Sequence, residues 1–434
     1  MDPGAAAEPD RARWTDRRFR ALLGCATFVM LGLSWPLWTA PEEAFPRVPF
    51  LRLAAWAGEP AAVAWIVYAV LLAAVAAAAL ARRGWKWAAG GSAVLLAALV
   101  VQDQHRFQPW VYQFLVLDVV LLAFRPERAL RYARWWFGGL YFHSALSKLD
   151  VSFTREMGAV FLASLTRPFG ADPALWPDRW RDAAILAMPA AEGVVAVLLV
   201  LPRTRRVGLA GALVLHALLI AILGPWGLGH STIVLVWNAA MMGELCVLFG
   251  PDLAPRGKCV AGARDGWCAS AVRILFWCTL VAPFGERWGL LDAWPAHALY
   301  ASHVERTAVF LFEDELATYP AAVRRYLVGE GEGPWRRLDL TAWSRAVRGT
   351  PVYPSARACN GLAEALAARY RGPHPVRVLQ WSRADRWTGR RDVAESLGLD
   401  AIRRQGNRYW WNAHPRPSAN EGHGHAESTI DPGG

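Results

Sequence analysis

The side chains best suited to chemistry stand together in one stretch, Trp135-Trp136-Phe137-Gly138-Gly139-Leu140-Tyr141-Phe142-His143-Ser144-Ala145-Leu146-Ser147-Lys148-Leu149-Asp150. On a helix, Ser144 lies one turn before Lys148 and Tyr141 two turns before it, so the three share a face. His143 and Ser147 form a neighbouring stripe. Gly138, Gly139, Ser144 and Ala145 are small enough to let another helix approach closely. Two chemistries fit Lys148. As an ammonium it snorkels to a membrane surface or pairs with Asp150. As a neutral amine in an apolar site it is a general base. Of 47 basic residues, 44 are arginine, and the lysines are Lys86, Lys148 and Lys258. An anchor could equally be arginine, which cannot give up its proton at useful pH. Lys148 and His143 are therefore the catalytic candidates.

Other polar groups fall inside apolar runs: Asp118, Glu192, His216, Trp237, Asn238 and Glu244, with His230 just before the last of these runs. Ionisable groups are costly in a bilayer, so each is a functional candidate by default. Asp118 and His143 sit at comparable depth on a hairpin and are expected to pair. Interhelical hydrogen bonding accounts for any one of these residues as well as chemistry does. Together they suggest an internal polar cavity opening near Lys148 and His230, suited to an amphipathic molecule such as a quinone or hydroquinone. Its expected ligand contacts are Tyr141, Ser144, Ser147, His216, His230 and Asn238. No zinc-ligand spacing is present, so no metal is expected, and His423 and His425 read as solvated tail residues.

Elements that position these groups follow from composition. The chain has 434 residues, 54% hydrophobic and only 19% charged, with 24 tryptophans. Soluble domains carry about 25% charged residues. The net charge of +11 invites a nucleic-acid reading, but the basic residues come in short clusters between long apolar runs, the layout of a polytopic membrane protein. The runs are 21–40, 61–81, 88–102, 110–124, 134–149, 182–202, 207–224, 231–250 and 268–284. No cleavable signal peptide is visible. Alternate loops carry 18 and seven Lys and Arg respectively. That asymmetry predicts nine spans with a cytoplasmic N-terminus and an outside C-terminus. The expected fold is an all-α transmembrane bundle, residues 21–284, after a basic cytoplasmic segment, 1–20. A small extracytoplasmic α+β domain, 285–414, follows, with strands at Ala308–Phe312 and Val376–Trp381 and helices near Ala321–Leu327 and Ala356–Tyr370. Residues 415–434 are polar and Gly/Pro-rich and are expected to be disordered. Among the six cysteines only Cys359 lies clearly in the external domain, so no internal disulfide is expected there.

The segment Tyr141–Asp150, YFHSALSKLD, resembles the signature of the HTTM family, which includes the vitamin K-dependent gamma-carboxylases. His216–Asn238 is also similar to that family's membrane region. The resemblance implies that Lys148 is the base that deprotonates a reduced quinone, with Tyr141, His143, Ser144 and Ser147 orienting it. It also implies lyase-type carboxylation of an exported protein or peptide. Two rivals stand beside it: a DoxX-like membrane protein that exchanges electrons with quinone, and a non-catalytic scaffold whose external domain binds a partner. For the second, Trp335, Trp343, Trp381, Trp387, Trp410 and Trp411 are either partner contacts or core.

Overall fold

A computed structural model describes residues 3–56, 60–250, 267–329, 333–370 and 374–416. The expectations for His423, His425 and most of the 415–434 tail lie outside these residues. All nine apolar runs fall in helices: α1 (Pro3–Leu33), α2 (Ala61–Leu80), α3 (Trp85–Gln102), α4 (Pro109–Ala123), α5 (Pro126–Ser147), α6 (Asp178–Val200), α7 (Arg205–Leu223), α8 (Thr232–Phe249) and α9 (Trp267–Val281). Six of them, α2, α3, α6, α7, α8 and α9 with its extension to Trp288, are long and apolar enough to cross a membrane. Among the described residues the expectation of nine spans is not confirmed, since three of the nine helices do not meet that measure. Helix α4 has only 15 residues. Helix α1 ends at Leu33, and a separate short helix, Trp35–Thr39, follows with Pro36 in its first turn. Pro36 has no N–H to give and its ring would crowd the preceding turn, so the 21–40 run cannot be one helix. Helix α5 mixes its apolar residues with arginine, histidine and serine. Helices α1 and α5 each pack against at least four other helices. A helix enclosed by neighbours has less need of an apolar outer face.

The bundle has two chemically different ends. At one, arginines close the open carbonyls of helix C-termini, where a cation also meets the favourable end of the helix dipole. Arg20 Nη1 donates to Ala78 O at 2.6 Å, and Arg134 Nε to Leu248 O at 2.7 Å. Between the ends, apolar side chains such as Ile66, Val94 and Val214 stand more than half exposed. Such a belt is stable only against lipid or another protein.

The C-terminal unit rests on the opposite end. Its five-stranded antiparallel sheet has the order β2-β3-β1-β4-β5, with β1 Arg306–Phe312, β2 Leu327–Val328, β3 Trp335–Leu338, β4 Arg377–Trp381 and β5 Val393–Leu397. Val309 sits in register with Leu338 on one side and Val378 on the other. That face is covered by α10 (Leu340–Arg348) and α11 (Ala356–Arg369), while α12 (Leu399–Gly406) packs on α11. Phe45 and Val48, from the α1–α2 connection, are buried in the same core. The attachment continues in polar contacts. Arg348 of α10 pairs with the fully buried Asp103, Tyr353 N–H donates to His105 Nδ1 at 3.1 Å, and Arg357 binds Gln104 and Asp292. Burial alone would raise the Asp103 carboxyl, but Arg348, His105 and Arg106 outweigh it and hold the group well below the usual carboxylate range. Burial pushes His105 down to about 4.

Between α9 and β1 the chain runs through the mouth of the bundle beneath the C-terminal unit without helix or strand, and most of residues 293–303 are buried. Irregular backbone at such a place is tolerated because protein, not lipid, surrounds it. His297 and Tyr300 adopt left-handed φ of 57° and 60°, which costs energy for residues other than glycine. Three side chains from this loop enter the bundle end. His297 lies against Tyr112 and Trp136, Tyr300 against Phe161 and His230, and His303 between Asp150 and Glu286.

Candidate functional site

Helices α5, α6, α7 and α8 form a closed ring, each packed on the next. Helix α5 starts well: Pro126 occupies its first turn, where no N–H is needed, and Glu127 adds a favourable negative charge there. A Cβ on Gly138 would sit 2.7 Å from Val200 Cγ2, so glycine is what lets α6 approach. Gly139 serves the same purpose against Leu280 of α9.

Inside this ring the expected site residues come together in two hydrogen-bonded groups. Lys148, at the C-cap of α5, is 7% exposed. Its Nζ donates to Ser144 O at 3.2 Å, Ser144 Oγ at 2.5 Å and Glu192 Oε2 at 2.8 Å. An ammonium has three donors, and all three are engaged. Asp150, the expected partner of Lys148, is occupied elsewhere, so that pairing is corrected to Glu192. The second group runs across three helices. Asn238 Nδ2 donates to Val234 O at 2.8 Å, which leaves Oδ1 to accept from His216 Nδ1 at 2.8 Å. His216 Nε2 then accepts from the Tyr141 hydroxyl at 2.6 Å. Each polar atom in this relay has a partner. Glu192 is within electrostatic reach of both Tyr141 and His216, so the two groups are neighbours.

The remaining expected residues lie outside these groups. Ser147 Oγ donates back to Ser144 O at 2.8 Å. His143 turns to the other side of α5, where its Nε2 meets Leu280 O at 2.8 Å and its ring the edge of Phe284. The expected Asp118–His143 pair is therefore absent; Asp118 instead feels the charge of Arg20, at the arginine-rich end. His230 Nδ1 accepts from the Ser231 N–H, and its ring faces Tyr300.

Two connections were not anticipated from sequence, although Glu244, Trp237 and Asp150 were named there. Gln113 of α4 links Glu244, at 2.5 Å, to Trp237, at 2.7 Å. At the end nearest the C-terminal unit, Asp150 accepts from the Phe153 N–H at 2.7 Å, from Arg287 at 2.6 Å and from His303 Nδ1 at 3.0 Å. His303 Nε2 reaches Glu286 at 2.8 Å, and Arg383 pairs with Glu305 at 2.5 Å and approaches Glu286. Burial would lower His303, but its hydrogen bonds to Asp150 and Glu286 outweigh it and raise its affinity for a proton. An imidazole facing a carboxylate at each nitrogen is best satisfied with both nitrogens protonated.

The helices and the lipid-type belt define an integral, multi-pass membrane protein. Residues 126–233, a quarter of the 434, match the family model described as Methylamine utilisation protein MauE. The match opens on the first residue of α5 and closes in the first turn of α8, so it takes in Tyr141, Lys148, Glu192 and His216. No curated protein and no solved structure gives a match to the chain. The HTTM resemblance is corrected by this finding: YFHSALSKLD lies wholly inside the stretch similar to MauE, and the carboxylation and lyase chemistry implied by HTTM goes with it. Small residues with Ser and Lys at a helix end are also what close packing and hydrogen-bond closure require of any such helix, which is why so short a signature misleads.

Proposed function

We propose that the protein is a non-catalytic membrane scaffold that holds its C-terminal α/β unit at one membrane surface to receive a partner or ligand. The observation that carries this reading is the saturation of Lys148, whose three donors are spent on Ser144 and Glu192. The adjoining Tyr141–His216–Asn238 relay is closed as well. Closed buried networks fix one arrangement of helices, and they occupy Lys148, Tyr141 and His216, the groups otherwise suited to proton transfer. The matched family's name refers to methylamine utilisation. The 18-to-seven distribution of Lys and Arg between alternate loops supports a cytoplasmic N-terminus and an extracytoplasmic α/β unit; cleavage of the C-terminal unit only from the cytoplasmic side would reverse that. For the scaffold reading, the full chain in nanodiscs of zwitterionic lipid is offered menadiol, a soluble quinol. Oxidation at the empty-disc rate is expected. Turnover above that rate, abolished by Lys148→Met, would overturn the reading.

One observation favours a second reading, quinone-linked redox work without carboxylation. An apolar groove of about 430 Å3 between α3, α4 and α9 contains Tyr112 and Thr279. Behind Tyr112, the buried His297 Nε2 and Trp136 Nε1 have no hydrogen-bond partner. An isoprenoid tail suits the groove, and a quinone oxygen suits the open donors. On this reading a quinone co-purifies with wild type and is depleted from His297→Leu; its absence from wild-type preparations refutes it.

A further inference from the structure

The C-terminal unit contains a cavity of about 660 Å3 beside the sheet, walled on one side by the turn that opens α11 and on another by Glu156, just past the end of the bundle. Its sheet wall alternates cations with aromatic rings: Arg306 is opposite Trp381, and Phe310 is opposite Arg337. Arg391 completes the cationic lining. The acids present do not neutralise it. Glu156 pairs with Arg306, and Glu305 is taken by Arg383. Arg391 spends its donors on the carbonyls of Val304 and Ser382, at 2.8 and 2.7 Å, and of Ser302; Glu156 and Asp150 lie within electrostatic reach, but no carboxylate forms an ion pair with it among the described residues. Arg337 is exposed, and its side chain has no hydrogen bond or ion pair among the described residues. Ser355, the N-cap of the 14-residue α11, lines the cavity and makes no side-chain cap, leaving first-turn amides of that helix uncapped on the same side.

We propose that this cavity binds a carboxylate attached to a flat apolar group, as the C-terminus of a peptide ending in an aromatic residue presents. The proposal rests on the scaffold reading, for which it supplies the receiving site. Two positive charges and a helix N-terminus select an anion. One guanidinium fork, that of Arg337, is open for bidentate pairing, which matches a planar carboxylate. Arg391 contributes field rather than donors, so a phosphate dianion would find too few partners. Trp381 and Phe310 provide the apolar walls. The volume is within the range of small-ligand sites, about 300–1,000 Å3.

The test uses the full chain in zwitterionic nanodiscs, titrated calorimetrically with N-acetylphenylalanine, with its neutral amide, and with inorganic phosphate. The acid is expected to bind at least tenfold tighter than the amide. Arg337→Gln should erase that difference and Arg337→Lys should retain part of it, because the charge survives and the fork does not. An unchanged unfolding midpoint shows that the variants fold. Equal binding of acid and amide overturns the proposal, as does binding of phosphate at least as tight as that of the acid. Neither result bears on the scaffold reading, which is decided at Lys148, a residue that shares no contact with Arg337.

Discussion

Replacing Lys148 with methionine isolates what the buried pair with Glu192 does. The side chains of Lys148 and Glu192 are 8% and 16% exposed. Removing one partner of such a pair leaves the other charge without compensation, at a cost of about 3–5 kcal/mol. Glu192 keeps some access to solvent, so the lower figure applies, about 3 kcal/mol or roughly a hundredfold in the folded-to-unfolded ratio. Removing both charges with similar volume, Lys148→Met with Glu192→Met, deletes the desolvation penalty together with the attraction and is expected to recover most of the loss. Equilibrium unfolding in mixed detergent micelles, followed by tryptophan fluorescence, gives all four corners of the double-mutant cycle. The single variants should be strongly destabilised and the double variant close to wild type, so the coupling should approach the sum of the two single losses, about 6 kcal/mol if each costs about 3. Single and double variants of equal, near-wild-type stability would refute the reasoning, because Lys148 would then not be held by Glu192. Stable variants that lose a measured turnover would restore the lysine as a reacting group.

Three further outcomes follow from the same contacts. Tyr141→Phe leaves His216 Nε2 buried without a donor and should cost about 1–3 kcal/mol in the same unfolding assay; no loss would mean the relay is open to water. Arg348→Met leaves Asp103 buried and unpaired, so limited proteolysis should cut the C-terminal unit faster while the bundle stays intact; unchanged cutting would show that this pair does not hold the unit in place. His303 has a raised proton affinity in the folded state, so its contribution is complete below the unfolded histidine value of about 6.5 and is lost as pH rises through the folded one. Hydrogen exchange of residues 293–303 should therefore quicken on raising the pH, beyond the intrinsic base dependence, and His303→Gln should flatten that extra rise.

Legibility from sequence divided along chain distance. The apolar runs announced helices α1 to α9, and helical spacing alone put Ser144 beneath Lys148 and Tyr141 on the same face. Partners far along the chain were not legible: nothing local couples Lys148 to Glu192, Asp103 to Arg348 or His303 to Asp150. Strands β1 and β4 were evident because they are central and apolar. Strands β3, WRRL, and β5, VAESL, were not, since one of their faces is open to solvent and alternating Arg or Glu hides a short strand. Tyr141, His216 and Asn238 were picked out and they meet in one relay, but sequence could not distinguish a ligand-binding set from a set that satisfies itself. That difference lies in whether donors and acceptors balance, which only the assembled helices reveal. His297 escaped notice because its left-handed backbone and aromatic surroundings arise from a loop with no periodic pattern.

The dependence of Asp103 on Arg348, and of the sheet core on Phe45 and Val48, has a consequence for biosynthesis. A ribosome delivers the first connection and Asp103 hundreds of residues before it delivers the strands and helices that receive them. During that interval the membrane part exists with an unneutralised acid and two apolar side chains exposed at one surface. The last quarter of the chain acts as a closing clasp, and a nascent protein that stalls before it is made carries a chemical mark of incompleteness on the face where it should have closed.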